Sequence, residues 1–167
     1  RCFAAVTVEA FPMTVEEYAR LADAGCVGVT LYQETYHPDT YDRLHRWGPK
    51  KDFLARLDAP ARLLRAGIRQ VGLGALLGLS DPLFDMLALF RHALHLRKHY
   101  WQSGIGISFP RVCPEPGGYT PSCAVDEKAL AQIIFAFRIG LPDVPLVIST
   151  RENARFRDAI AGLGISK

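Results

Sequence analysis

The sequence predicts a parallel α/β fold, and three observations lead to that prediction. Short apolar segments recur five times in 167 residues, they alternate with helical patterns, and a polar or charged cluster follows each one. Strands and helices that alternate every ~25 to 40 residues are typical of repeated βαβ units. The five clusters are Glu9, 32–37, Ser80–Asp81, Pro110–Arg111 and 149–152.

Two architectures accommodate five parallel strands, a doubly wound sheet of the flavodoxin type and an arc of a (β/α) barrel. In both, the carboxyl ends of the strands share one mouth, where ligands bind. A doubly wound sheet concentrates its ligand contacts at one switch point, whereas a polar cluster after every strand favours a barrel. We therefore predict that residues 1–167 are part of a single barrel domain, with one site built from five loops.

Five segments are predicted to be strands because turn residues bound them and Val, Ile, Thr and Phe are frequent in them. They are residues 3–11, 26–31, 68–79, 105–109 and 145–148. The third contains Gly72, Gly74 and Gly78. These glycines lack the spacing of a dinucleotide-binding loop. Two alternatives remain for them, the approach of a flat ligand ring and close packing of a helix.

Two helices are predicted to follow the first and second strands. Thr14 and Glu17 form a capping box for a helix that stops at Gly25. A charged, turn-rich segment over 38–52 then leads to an apolar helical pattern that ends at Gly67. Each helix therefore returns the chain to the start of another parallel strand.

Three more helices follow the remaining strands. Asp81–Pro82 is a start signal for a long helix that extends to about His99. Asp126 begins the next helix, and Ser149 or Thr150 is predicted to cap the last one. With these helices the chain contains about five βα units.

Composition limits the classes of partner. The chain has 20 basic and 17 acidic residues, a formal net charge of +3, and no block of like charges. It contains no aromatic-and-basic nucleic-acid motif, and no apolar run approaches the ~20 residues that cross a bilayer. We expect a cytoplasmic protein that binds an anionic small molecule, without nucleic-acid or membrane partners.

No metal site is predicted from the residues of this chain. The four cysteines stand at positions 2, 26, 113 and 123. Their spacing fits neither a zinc site nor a disulfide framework. His92, His95 and His99 lie at helical spacing among Arg and Lys, so we interpret them as a solvated cationic face.

Charged residues at the strand ends are the candidates for ligand binding. Glu34 can accept from an ammonium group or a sugar hydroxyl, or it can pair with a neighbouring arginine. Arg111 and Arg151 follow neighbouring strands, and a guanidinium binds a carboxylate through two hydrogen bonds. A cation in the first turn of a helix is slightly unfavourable, which favours a functional role for Arg151.

Six short segments, spread over nearly the whole chain, form one recognisable pattern. They are 6–9, 28–37, 72–79, 100–103, 108–111 and 149–152. The run Tyr-Gln-Glu-Thr-Tyr-His at 32–37 is the most specific of them. In order and approximate spacing the pattern resembles the radical S-adenosylmethionine tyrosine lyase of thiamine biosynthesis, the 2-iminoacetate synthase family.

The resemblance implies a radical S-adenosylmethionine (β/α) barrel with a [4Fe-4S] cluster. Such an enzyme cleaves the Cα–Cβ bond of L-tyrosine to give dehydroglycine and p-cresol. Its implied partners are the thiazole synthase machinery, which accepts dehydroglycine, and reduced flavodoxin or ferredoxin as electron donor. The family's Cys-x-x-x-Cys-x-x-Cys motif is not in this sequence, so we expect the cluster ligands outside this chain. We expect residues 1–167 to be the inactive central and C-terminal part of a longer barrel.

The same resemblance implies roles for eight residues. The cofactor contacts are Glu34, Arg56, Gly72, Gly74 and Leu77. The substrate contacts are Arg151 for the tyrosine carboxylate, with Arg111 and Glu9 at the same mouth. Because the cofactor supplies the radical chemistry, these groups are expected to orient the reactants.

Other functions are also compatible with this sequence pattern. Related aromatic amino-acid lyases include the tyrosine lyase of [FeFe]-hydrogenase maturation and a tryptophan lyase of peptide antibiotic synthesis. A binding subunit without a cluster is an alternative from another class. An ordinary phosphate-binding barrel is disfavoured because the late strands lack a glycine-rich phosphate loop.

Overall fold

The computed structural model describes residues 3–113 and 118–166, which form alternating strands and helices. The strands are β1 (Val6–Glu9), β2 (Cys26–Thr30), β3 (Gln70–Gly74), β4 (Gly104–Ser108) and β5 (Leu146–Val147). The helices are α1 (Val15–Asp23), α2 (Pro38–Leu44), α3 (Phe53–Arg65), α4 (Pro82–His99), α5 (Glu127–Gly140) and α6 (Ala154–Ile160). All five predicted strands are present among the described residues.

The order of the strands distinguishes between the two predicted architectures. The sheet runs β1-β2-β3-β4-β5, and every neighbouring pair is parallel. A doubly wound sheet reverses its order at the switch point, whereas a barrel adds each strand beside the preceding one. The described strands therefore form an arc of a (β/α) barrel, as predicted.

The two faces of the sheet differ in composition. On one face, apolar strand residues are buried against the helices. They include Val29, Val71, Leu73, Ile105, Ile107 and Leu146. The helices contribute Leu63, Leu89, Ala93, Leu130 and Ile134 to the same core. The other face contains glycine, threonine and other polar residues, and it lines the interior of the arc.

Side-chain caps predicted from the sequence are present at three helices. The Thr14 hydroxyl accepts from the backbone N–H of Glu17 at 3.2 Å, and the Glu17 carboxylate accepts from the N–H of Thr14 at 2.8 Å. Asp81 and Asp126 each accept from a backbone N–H in the first turn of α4 and α5. These caps satisfy amide groups that have no partner within the helix.

Two local predictions were wrong. Residues 38–44, predicted as part of an irregular segment, form α2, with Pro38 in the first turn and His37 as the cap. At α6 the cap is Asn153, whose side chain accepts from the N–H of residue 156 at 2.8 Å. Ser149 lies in a turn before the helix, where its Oγ accepts from the Arg151 N–H and its backbone oxygen accepts from the Glu152 N–H.

The third strand is shorter than predicted because the chain leaves the sheet after Gly74. Leu77 instead forms an isolated parallel bridge with Arg111. The following Gly78 has φ +111°, a conformation that side chains rarely adopt. Residues 75–79 therefore belong to the loops at the mouth. No helix in the described part of the chain is long and apolar enough to span a bilayer.

The prediction that the histidines of α4 form a solvated face was wrong for His92. Its Nδ1 is hydrogen-bonded to the Tyr36 hydroxyl at 2.9 Å, and the two rings meet edge to face. Burial lowers the pKa of His92 to about 4, with a smaller contribution from neighbouring His95. His92 is therefore a neutral, partly buried group that joins α4 to the loop after β2.

We expect this histidine to make stability depend on pH. As the pH falls from 6.5 to about 4, His92 is protonated in the unfolded chain but stays neutral in the native protein. The stability that is present above pH 6.5 is therefore lost over this range. The loss should be on the order of 2 kcal/mol, because water screens the still partly exposed ring. Urea unfolding at several pH values in this range gives the free energy of unfolding as a function of pH. That dependence should be weaker in His92→Gln than in the parent, whereas His99→Gln should retain it. Equal slopes in all three proteins would contradict the assignment.

Candidate functional site

The inner face of the arc encloses an open cavity of about 430 Å³. Its lining includes Glu9 on β1, Thr30 and Tyr32 at the end of β2, and Gly72 and Ser108 on β3 and β4. A volume of this size suits a cofactor or a small substrate. The cavity thus brings together residues from four neighbouring strands.

Glycines of β3 leave room for side chains from β2. A Cβ atom on Gly72 would lie 2.5 Å from the Thr30 hydroxyl oxygen, and one on Gly74 would lie 2.6 Å from the Tyr32 ring. The same Cβ on Gly74 would lie 2.9 Å from the backbone oxygen of Ser108. The nearest neighbours of Gly72 and Gly74 thus come from β2, the segment just after it and β4, and not from a helix. The Tyr32 ring covers part of the surface predicted for a ligand ring.

Glu34 stands at the rim of the arc in an unusual conformation. It has φ +71°, and it is the one non-glycine residue with positive φ in the described part of the chain. Its Oε1 accepts from Lys50 Nζ at 2.6 Å and from Arg56 Nη2 at 3.1 Å. Its Oε2 has no hydrogen bond to a described residue, and the side chain is 12% exposed. One carboxylate oxygen is therefore available to a ligand.

Arg56 complements that carboxylate. Its side chain is 5% exposed, and its Nε donates to the backbone oxygen of Tyr32 at 2.7 Å. Its Nη1 is buried and has no partner among the described residues. A buried charged donor without a partner is costly, so this nitrogen is suited to an anionic ligand group. Glu34 and Arg56, both predicted contacts, are brought together here.

A second pocket, of about 360 Å³, lies between the loops after β3, β4 and β5. Leu77, Arg111 and Arg151 line it together. Leu77 was predicted beside Gly72 and Gly74, but its backbone bonds to Pro110 and Val112 place it with the two arginines instead. The predicted cofactor residue Leu77 thus lies among the predicted substrate residues.

The two arginines of this pocket differ in their hydrogen-bond partners. Arg111 Nε donates to Glu152 Oε1 at 2.9 Å, its Nη2 donates to Oε2, and its Nη1 donates to the Val125 carbonyl at 2.6 Å. These bonds to Glu152 raise the pKa of Arg111. Arg151 is exposed, and its guanidinium has no hydrogen bond to a described residue. The guanidinium of Arg151 is therefore available for the predicted carboxylate binding as far as the described residues show, whereas that of Arg111 is already paired with Glu152.

No group of three or more His, Cys, Asp or Glu residues in the described part of the chain could hold a metal ion. Described cysteines Cys26, Cys113 and Cys123 are free thiols. Cys2 lies outside the described residues. Glu9 is exposed on the edge strand β1, where it pairs in register with Thr30 and faces the interior cavity.

Comparisons with known proteins identify relatives of this chain. The family model "Biotin and Thiamin Synthesis associated domain" matches residues 108–167. The chain is 47% identical to 2-iminoacetate synthase of Escherichia coli over 165 residues, which is 98% of the chain. The same enzyme from Salmonella typhimurium is 47% identical over 167 residues, or 99% of the chain.

The resemblance to 2-iminoacetate synthase is confirmed. This chain spans 44% of the length of each of these two synthases. All eight residues with predicted roles lie between positions 9 and 151, within the match to the Salmonella enzyme, which covers 99% of the chain.

Solved structures confirm the fold. A crystal structure of HydG, a maturase of the [FeFe]-hydrogenase, superimposes with a TM-score of 0.89 at 36% identity, over 97% of this chain and 36% of that one. HydG from Carboxydothermus hydrogenoformans gives 0.86 at 35% identity, over 98% and 38%. Methylornithine synthase gives 0.64 at 18% identity, over 85% and 40%, and supports the fold alone.

The sequence analysis missed the roles of three residues near the mouth of the arc. Lys50 belongs to a charged segment, and nothing in its spacing indicates that it reaches Glu34. Asp85 has the pattern of an ordinary acid in a first helical turn, yet it is fully buried. Glu152 was noted only as part of a polar cluster, and its pairing with Arg111 spans 41 residues. Each contact depends on how distant loops meet at the mouth.

Proposed function

We propose that this chain is part of a radical S-adenosylmethionine lyase that cleaves the Cα–Cβ bond of L-tyrosine for thiamine thiazole synthesis. One observation carries the proposal. Arg56 donates to Tyr32 of the cavity with the glycine-lined wall, and among the described residues Glu34 and Arg56 retain one unpaired acceptor and one buried unpaired donor. That combination complements the ammonium and carboxylate groups of an amino-acid moiety. The 47% identity to 2-iminoacetate synthase supports the same assignment.

The residues fit the amino-acid end of S-adenosylmethionine. Glu34 Oε2 would accept from its ammonium group, and Arg56 would donate to its carboxylate. Gly72, which lines the cavity, would form part of the wall against its adenine, whereas the Tyr32 ring covers Gly74. When bound to a [4Fe-4S] cluster and reduced, S-adenosylmethionine supplies the radical that attacks tyrosine and leads to dehydroglycine and p-cresol. We assign the cysteine ligands of the cluster to residues outside this chain.

The chain's own residues would orient the reactants and exclude water from them. Arg56 holds the Tyr32 carbonyl as well as Glu34, so it ties the rim to the inner wall. Leu77 and the Arg111–Glu152 pair shape the neighbouring pocket, in which Arg151 presents its guanidinium. We place the tyrosine carboxylate at Arg151 and assign no carboxylate to Arg111. Glu9 remains a candidate substrate contact on the inner face.

We expect Arg151→Ala in the complete enzyme to weaken tyrosine binding by about ten- to a hundredfold, the value of a charge-assisted pair. Binding of S-adenosylmethionine should change by less than about twofold, because that ligand is assigned to Glu34 and Arg56. Calorimetry with each ligand measures both effects. Arg155→Ala removes another exposed arginine nearby and should change neither affinity. Unchanged tyrosine affinity in Arg151→Ala would refute the assignment.

The related hydrogenase-maturation lyase is the second candidate, because the HydG structures superimpose closely on this chain. The higher identity to the synthases favours the thiamine role. The acceptor of dehydroglycine would then be the thiazole synthase machinery, with reduced flavodoxin or ferredoxin as electron donor. Free thiols at Cys26, Cys113 and Cys123 are compatible with the reducing cytoplasm in which we place the protein. An anaerobic assay of the complete enzyme for p-cresol and dehydroglycine tests the reaction.

A further inference from the structure

Asp85, in the first turn of α4, is a carboxylate buried within the loops of the mouth. It is 0% exposed and forms no ion pair with a described residue. Burial raises its pKa, against the opposing effect of its hydrogen bonds. A buried carboxylate costs several kcal/mol unless donors surround it, so its partners indicate its role.

All three partners of Asp85 lie in the loops after β2 and β3. Its Oδ1 accepts from the backbone N–H of Tyr36 at 2.7 Å and from the Thr35 hydroxyl at 2.9 Å. Its Oδ2 accepts from the Ser80 hydroxyl at 2.9 Å. The Thr35 hydroxyl oxygen in turn accepts from the N–H of His37 at 3.1 Å. One carboxylate therefore fixes three consecutive residues, 35–37.

The residue immediately before this anchored segment is Glu34. A positive φ at a residue with a side chain costs about 1 kcal/mol or more, so it persists only where its surroundings impose it. Here the Glu34 carbonyl accepts from the Leu76 N–H at 2.7 Å, and Asp85 holds the next peptide through Tyr36. On the N-terminal side, the Gln33 N–H donates to the Gly74 oxygen at 2.9 Å. The turn is thus held on both sides, and its conformation directs the Glu34 side chain toward Lys50 and Arg56.

We propose that Asp85 is a positioning residue that holds Glu34 in the conformation required to bind the ammonium group of S-adenosylmethionine. The proposal rests on the ligand role assigned to Glu34 under the proposed function. Asp85 itself touches no ligand in this scheme. Its effect on binding should therefore pass through Glu34 and disappear when Glu34 no longer contributes a carboxylate.

A double-mutant cycle in the complete, cluster-loaded enzyme tests this coupling. Asp85→Asn keeps an acceptor oxygen for Tyr36 but removes the charge that binds its three donors. Calorimetry should show S-adenosylmethionine binding about tenfold weaker in Glu34→Gln and about three- to tenfold weaker in Asp85→Asn. The double variant should be within about twofold of Glu34→Gln alone. Amide hydrogen exchange at residues 34–37 should also rise in Asp85→Asn.

Each outcome separates one assignment from the other. Unchanged affinity in Asp85→Asn, or losses that multiply in the double variant, would overturn the positioning role while leaving Glu34 as a ligand. Unchanged affinity in Glu34→Gln would refute the ligand role itself and the inference with it. Asp81→Asn, the same substitution at an exposed cap, should stay within about twofold of the parent. If Asp85→Asn does not fold, Ser80→Ala enters the same cycle with the same expected result.

Discussion

Glu152→Gln should lower the free energy of unfolding by about 3 kcal/mol, because it breaks an ion pair that is largely buried. The side chains of Arg111 and Glu152 are 20% and 4% exposed, so the remaining guanidinium would keep its charge in poor contact with water. An amide oxygen can still accept one hydrogen bond, but the amide nitrogen opposes the second donor. Urea unfolding monitored by circular dichroism measures the loss.

The matched control removes both charges at once. Arg111→Met with Glu152→Leu should be more stable than Glu152→Gln alone, because no unpaired charge stays buried. If the single and double variants were equally destabilised, loss of packing would explain the effect and the ion pair would not. A Glu152→Gln protein as stable as the parent would contradict the burial of this pair.

Gly74→Ala should destabilise the barrel arc by about 3 kcal/mol through overpacking. The added Cβ would lie 2.6 Å from the Tyr32 ring and 2.9 Å from the backbone oxygen of Ser108. The ring can rotate away, but the Ser108 oxygen belongs to the neighbouring strand, so β3 and β4 would have to separate locally. Unfolding in urea measures the effect on stability.

Gly106→Ala is the control for this substitution on the neighbouring strand. Its Cβ would meet only the Pro145 oxygen, at 3.7 Å, which is an ordinary contact. We expect it to be neutral or to stabilise the protein by up to about 1 kcal/mol, since alanine loses less chain entropy than glycine on folding. Equal destabilisation by both substitutions would show that the loss of glycine, and not the close approach of the Ser108 oxygen, is responsible.

The fold was predictable because its signals are local. Alternation of apolar strands and capped helices depends on residues a few positions apart, and the capping box of Thr14 and Glu17 is formed as its spacing predicts. The failures have local causes too. At α2, Pro38 was interpreted as a turn residue, although proline is equally suited to the first turn of a helix.

The sequence predicted where the candidate site lies, but not which of its side chains pair with one another. Strand ends place Glu34, Arg111 and Arg151 at the mouth, and parallel topology alone requires that. Nothing in the sequence shows that Glu152 pairs with Arg111 or that Arg151 has no partner in the described part of the chain. Burial of Asp85 was equally invisible, because an acid in a first helical turn is normally exposed. Such pairings are set by packing between loops, which spacing does not encode.

The uninterrupted strand order also has a consequence for how the chain folds. Each strand pairs with the strand that comes next in the sequence, so the sheet needs no contact between its distant ends. A sheet of this kind can therefore grow by adding one strand and its helix at a time. The Glu34–Arg56 contact spans 22 residues and belongs to early units, whereas the Arg111–Glu152 pair spans 41 and needs the last strand. During synthesis from the amino terminus, the rim assigned to the cofactor would thus be complete before the pocket assigned to tyrosine.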